Sequence, residues 1–214
     1  MLFGGQIEAA VLDTLRTWAP VYVAEVERQA FDAGLFPALA DGRHLPAIRS
    51  WAVVGDRTLA GAGAPPRVLI IARGLAGEPA RDGTGAYRAA FAVAFMVVAP
   101  GNARVDTNGQ QSANRNARLY CAALRTALLQ QRLPTLPGFA GLEWVDERYD
   151  ELPPDGGDSL AAASAAFRVH VDDVANTARP FGVTPPDPFT LAPDAPTVRE
   201  GGAGVDVDKT DELS

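Results

Sequence analysis

The chain has 214 residues, 47% of them hydrophobic, a net charge of −7 and one cysteine, which suits one core-bearing domain plus an appendage. No run of about 18 apolar residues could span a bilayer, and the N-terminus lacks the basic flank and cleavage site of a secretion signal, so the sequence reads as a cytoplasmically made chain without a membrane span. The acidic balance argues against a surface that gathers nucleic acid or anionic lipid, and the lone Cys121 cannot form an internal disulfide.

In chain order, Ile7, Val11, Leu15, Trp18, Tyr22 and Val26 recur at spacings of three and four, which predicts a helix from about Gln6 to Gln29. Pro20 sits inside it and implies a kink near Ala19, or a break with Pro20 opening a second helix. Gly34 is its expected stop. Between Leu35 and Pro66 the signals are mixed, with one short strand candidate at Ser50 to Val54.

Arg67 to Ala72 reads as a buried strand, and Tyr87 to Ala99 as a long one with two apolar faces. Phe91, Val93, Phe95 and Val97 occupy one face; Ala90, Ala92, Ala94, Met96 and Val98 occupy the other, and both need cover. The polar stretch Gly74 to Ala86 between these strands predicts a long hairpin arm, because Asp82, Gly83 and Gly85 supply turn chemistry. A second helix starts near Ser112, with Ala113, Ala117, Tyr120, Leu124, Ala127 and Leu128 on its apolar side, and Pro134, Pro137 and Gly138 end it. Leu142 to Glu151 predicts an acidic-faced strand. Ala161 to Asp173 predicts a last strand with Phe167, Val169 and Val171 inward, antiparallel to the one before. From Pro180 to Ser214 six prolines precede a Gly- and Asp-rich end, the composition of an extended arm rather than a packed unit. The expected organisation is therefore a domain over 1–179 and an arm over 180–214. The fold class is α+β: an antiparallel sheet of four to five strands with two helices on one face.

Catalytic vocabulary is sparse. His44, His170 and Cys121 are the only soft metal ligands, without H-x-x-x-H or C-x-x-C spacing. Ser164, His170 and Asp172 share strand parity, but residues six apart on one strand lie about 20 Å apart, too far for a triad. The pieces Gly61-Ala-Gly63 and Gly83-Thr-Gly85 lack the lysine and the strand-to-helix setting of a phosphate loop. The charge pattern is more informative: residues 104–132 carry net +4, 141–180 net −6 and 181–214 net −5. Arg118, Arg125 and Arg132 recur every seven residues with Arg115 nearby, forming one basic stripe that either faces solvent or meets an acidic neighbour surface.

The order helix, strand, long hairpin arm, long strand, helix and two antiparallel strands resembles that of the tail terminator, or tail completion, proteins of long-tailed bacteriophages. Three segments are also similar to neck and tail proteins of actinobacterial phages: RSWAVV at Arg49 to Val54, GLAGEPARDGTGAYRA at Gly74 to Ala89, and GLEWVDERYDELPPD at Gly141 to Asp155. The likeness spans roughly residues 6–175; the stretch Leu35 to Pro66 and the acidic proline-rich arm depart from it.

The resemblance implies a structural virion protein of the neck rather than an enzyme, with no cofactor and no metal. Its partners would be copies of itself in a hexameric ring, the tail tube protein, the head-to-tail connector, and DNA passing through the channel without specific binding. The alternatives are a head-completion or connector ring protein, and a small enzyme or ligand-binding module with the arm as a lid. Interface candidates are Glu78, Arg81 and Asp82 of the arm and Arg115, Arg118, Arg125 and Arg132 of the helix. Because DNA must slide freely, the acidic Asp146, Glu147, Asp150 and Glu151 are the candidates for lining the channel.

Overall fold

A computed structural model describes residues 4–35, 45–54, 63–81, 87–101, 109–155 and 158–172. Asp82 and the expected C-terminal arm, Pro180 to Ser214, lie outside the described residues. The apolar stripe of the N-terminal helix, α1 (Gly4–Asp32), is buried as its spacing demands: Ile7, Val11 and Leu15 are sealed, and Trp18 and Tyr22 pack on the same core. The helix runs through Pro20 unbroken, so the break expected there as the alternative to a kink does not occur. Pro20 is exposed, and apolar residues on both sides of it are anchored to one core, which holds the helix across the missing hydrogen bond. Gly34 ends it at φ +71°; its N–H donates to Phe31 O at 2.9 Å, and the Leu35 N–H donates to Ala30 O at 2.9 Å.

Six strands follow in one sheet: β1 (Ser50–Val53), β2 (Arg67–Leu75), β3 (Ala80–Arg81), β4 (Tyr87–Pro100), β5 (Phe139–Asp155) and β6 (Asp158–Asp172), with α2 (Gly109–Gln131) between β4 and β5. Their order is β1-β2-β4-β6-β5, with β3 on β4 beyond the end of β2. The fold is α+β. Where an all-antiparallel sheet was expected, β1 lies parallel to β2 (Ser50 opposite Arg67, Val53 opposite Ile70), and every other pair is antiparallel. The expected hairpin arm is shortened from both ends. β2 continues through an irregularity between Ala72 and Gly74 to Leu75, and Ala80 and Arg81 pair with Arg88 and Tyr87.

Period-2 alternation then sorts the side chains. Phe91, Val93, Phe95 and Val97 of β4, Phe167, Val169 and Val171 of β6, and Val68 and Ile70 of β2 face the helices and are buried. Phe95 and Phe167 pack with ring centres 6.0 Å apart; burying each such side chain is worth roughly 1.5–3 kcal/mol. From above, α2 contributes Ala113, Ala117, Tyr120, Leu124 and Leu128, all sealed, and the Tyr120 hydroxyl donates to the Pro46 carbonyl. On the opposite face Ala90, Ala92, Met96, Ser164 and Ala166 remain half-buried, beside a small second cluster of Val98, Leu160 and Ala162. Among the described residues no helix covers this face.

Candidate interaction surfaces

The seam between α2 and β5 is built from arginines and aromatic rings. Residues a turn or two apart on α2 project Arg118 and Arg125 towards β5, and alternation on β5 brings Trp144, Glu147 and Tyr149 to meet them. The Arg125 guanidinium lies 4.4 Å from the centre of the Trp144 ring and donates to the Glu147 carboxylate. The Arg118 guanidinium lies 4.7 Å from the centre of the Tyr149 ring, and the Tyr149 hydroxyl donates to Glu147. Glu147 is the hub, its side chain only 8% exposed. Burial, then the bond to Glu147, push Tyr149 up to about 12. Beneath it Cys121 is sealed, and burial foremost, with Glu147 second, raises its pKa well above the ordinary thiol range. A thiol so placed is a packed apolar group, not a nucleophile.

The open face of the sheet carries a shallow groove of about 240 Å³, floored by Ala94, Met96, Ser164 and Ala166 and bordered by Arg73 on β2 and by Asp146 and Arg148 on β5. Arg148 donates to Asp146 at 2.7 Å, which holds the Asp146 carboxyl below its ordinary range. At the end of this face Arg88 pairs with Asp172 at 3.0 Å, and Glu143 accepts from Arg168 at 3.3 Å with His170 3.6 Å away. His170 thus faces a carboxylate across the strand, and Ser164 lies six residues along β6, so the structure does not gather Ser164, His170 and Asp172.

The residues expected at interfaces do not form one surface. Arg118 and Arg125 are engaged by β5 of their own chain. The Arg115 guanidinium donates to Leu35 O at 3.3 Å, beside the end of α1. Arg132 lies past the end of α2, exposed, with φ +59°. Arg81 lies 5.9 Å from the centre of the Tyr87 ring, and Glu78 borders a groove with Arg88 and His170.

The four acids expected to share a channel wall are likewise divided. Asp146 and Asp150 stand opposite Ala166 and Ala162 on the open face, whereas Glu147 and Glu151 stand opposite Ala165 and Ala161 on the helix face. There Glu147 bonds Arg125, and Glu151 accepts from Asn114 at 3.0 Å. The correction is one of parity: neighbours on a strand point to opposite faces, so Asp146 and Glu147 cannot line the same wall.

Sequence reading passed over the exposed Trp144, Val145 and Tyr149. Trp144 and Tyr149 stand on the helix face with Glu147, on the two sides of the irregularity between Trp144 and Asp146. The local signal was available in three large apolar residues set among acids in LEWVDERYDE. Among the described residues no three metal-ligating side chains cluster together. Neither a protein-family model nor a curated protein matches the chain.

Proposed function

We propose that this chain is a structural ring subunit of a phage neck, a tail terminator that caps the tail tube and receives the head connector. The observation that carries the reading is the second face of the sheet. Its alanine-rich centre is apolar, and no helix of the described residues lies over it, which a fixed place in an assembly accounts for. The positions of the three segments similar to phage neck and tail proteins support the same reading. Two of them fall on β1 and β5, the outer strands of the sheet where a neighbouring subunit would touch, and the third runs from the end of β2 through β3 to the start of β4. In this reading Asp146 and Asp150 lie on the open face available to the assembly, while Glu147 and Glu151 serve the fold.

Electron microscopy of the purified protein, alone and mixed with assembled tail tubes, tests the proposal. Closed rings with a central channel, seated on one end of the tube and stopping its growth, are expected. A protein that never decorates a tube end, with tubes lengthening unhindered, would overturn it. Rings that bind only the connector would assign the chain to head completion instead.

A further inference from the structure

The two borders of the sheet carry opposite charge. Among the described residues, β5 holds Glu143, Asp146, Glu147, Asp150, Glu151 and Asp155 against Arg148 alone; Glu143 and Glu147 pair with Arg168 and Arg125 of the same chain, and the border stays acidic through the rest. The segments that build the other border, 45–54 and 63–81, hold Arg49, Arg67, Arg73 and Arg81 against Glu78 alone. Both borders also expose large apolar side chains: Trp144, Val145 and Tyr149 on β5, Val53 and Leu75 on β1 and β2. Among the described residues no strand pairs with the outer side of β1 or of β5.

We infer that copies of this chain associate head to tail, the acidic β5 border of one against the basic β1–β2 border of the next. The inference deepens the ring reading and rests on it for closure, since a contact between two different surfaces of identical copies propagates into a ring or a filament. Charge on an outer strand also guards against edge-to-edge aggregation. That role alone calls for no opposite sign at the far border of the same sheet. With opposite signs, unlike borders attract and like borders repel, so the two-fold alternative of β5 against β5 is disfavoured. The exposed apolar residues supply the surface that such a contact would dry, with the charges fixing which border meets which. Glu8 limits the geometry further. Its carboxylate accepts the Ala72 N–H at 3.0 Å, so that β2 donor, beyond the end of β1, is already used. On β1 the outward Trp51 carbonyl likewise accepts from Arg16 of α1 at 3.5 Å, so side chains rather than a backbone ladder make the contact.

Charge reversal tests this. Arg73→Glu with Arg81→Glu makes both borders acidic; Asp146→Arg with Asp150→Arg and Asp155→Arg makes the β5 border basic like the other. At low salt each variant alone should self-associate about a hundredfold more weakly than the wild-type chain in sedimentation velocity, and an equimolar mixture should recover association, because unlike borders are again present. Disulfide capture reads the same contact in nearly native protein. Val53→Cys mixed with Val145→Cys should give a mixed dimer under oxidation that neither gives alone, and the sealed Cys121 leaves the background low. Association that survives both reversals unchanged, with no mixed disulfide, overturns the border contact and leaves the ring reading standing. A wild-type chain that stays monomeric at low salt and yields no mixed disulfide also overturns the border contact, and the ring reading then falls or stands on the tube ends.

Discussion

Arg125 stacks on Trp144, its guanidinium carbon 4.4 Å from the ring centre, and through the same guanidinium holds Glu147 in a salt bridge whose carboxylate is almost sealed from solvent. One helical arginine thereby fixes the outermost strand to the second helix by both a ring contact and a charge pair. The contact is also why the basic stripe of α2 is not free to meet another molecule at that position.

Replacing Glu147 should expose the cost of that arrangement. Glu147→Leu leaves the largely buried Arg125 guanidinium without its carboxylate, and the loss should be about 2 kcal/mol in urea unfolding. Adding Arg125→Met should restore half or more of it, because an apolar pair of similar volume no longer carries an uncompensated charge. A double variant less stable than the single would contradict the assignment of Glu147 as the hub.

Two glycines with positive φ separate backbone strain from crowding. Gly74 has φ +89° with nothing within 4 Å of an added Cβ, so Gly74→Ala should cost only the left-handed conformation, about 1 kcal/mol. Gly138 has φ +70°, and a Cβ there would meet Asp172 O at 2.3 Å, next to the bond from the Asp172 N–H to Gly138 O at 2.8 Å. Gly138→Ala should therefore cost about 3 kcal/mol or more and loosen the junction of β5 and β6. Thermal melts of the two variants should rank in that order.

Alkaline pH should unfold the protein earlier than its arginine-rich composition suggests. Burial raises the pKa of both Cys121 and Tyr120 in the fold, from ordinary values of 9.0 and 10.0. Above about pH 9 the unfolded chain releases these protons while the folded chain keeps them. The unfolded state then binds fewer protons, and stability falls as pH rises. Between pH 8 and pH 10.5 the loss should be about 3 kcal/mol, with Cys121→Ala removing the larger share. Thiol reagents should label Cys121 only on unfolding. A flat stability profile to pH 10.5, or rapid labelling of the native chain, would count against the sealed position.

Ending the chain after Thr177 should leave the fold intact. The described core runs from Ile7 in α1 to Val171 in β6, and the first compact unit of the chain is Met1–Thr177. The melting temperature of the truncated chain should lie within about 2 °C of the full one. A drop several times larger would show that core packing depends on residues after Thr177.

The elements most legible in the sequence were those whose pattern is local. Ile7, Val11 and Leu15 announce a helix face by spacing alone, and Phe91, Val93, Phe95 and Val97 announce a strand face by alternation; both are sealed in the structure. The parallel placement of β1 was not legible, because pairing between Ser50–Val53 and Arg67–Ile70 leaves no trace in the periodicity of either strand. Continuity through Pro20 was hidden for a similar reason, since distant packing holds both halves of α1. The surfaces were legible as composition and misplaced as geometry. The acidity of LEWVDERYDE was plain, but its division between two faces depends on parity, and parity on the bulged registers of β5.

Those registers have a consequence for how this chain can vary. Pairing along β5 slips between Phe139 and Gly141, between Trp144 and Asp146, and between Leu152 and Asp155. Each slip resets the phase of the strand, so the residues on its two sides answer to different counts. Val145 is the extra residue of one slip, so its deletion would make Trp144 opposite Phe167 and Asp146 opposite Ala166 consecutive pairs of a regular ladder, with every side chain on its present face. Deletion of a paired residue such as Arg148 would instead exchange inside for outside on one side of the cut, so descendants of this sequence can vary the length of β5 at its slips and must keep it between them.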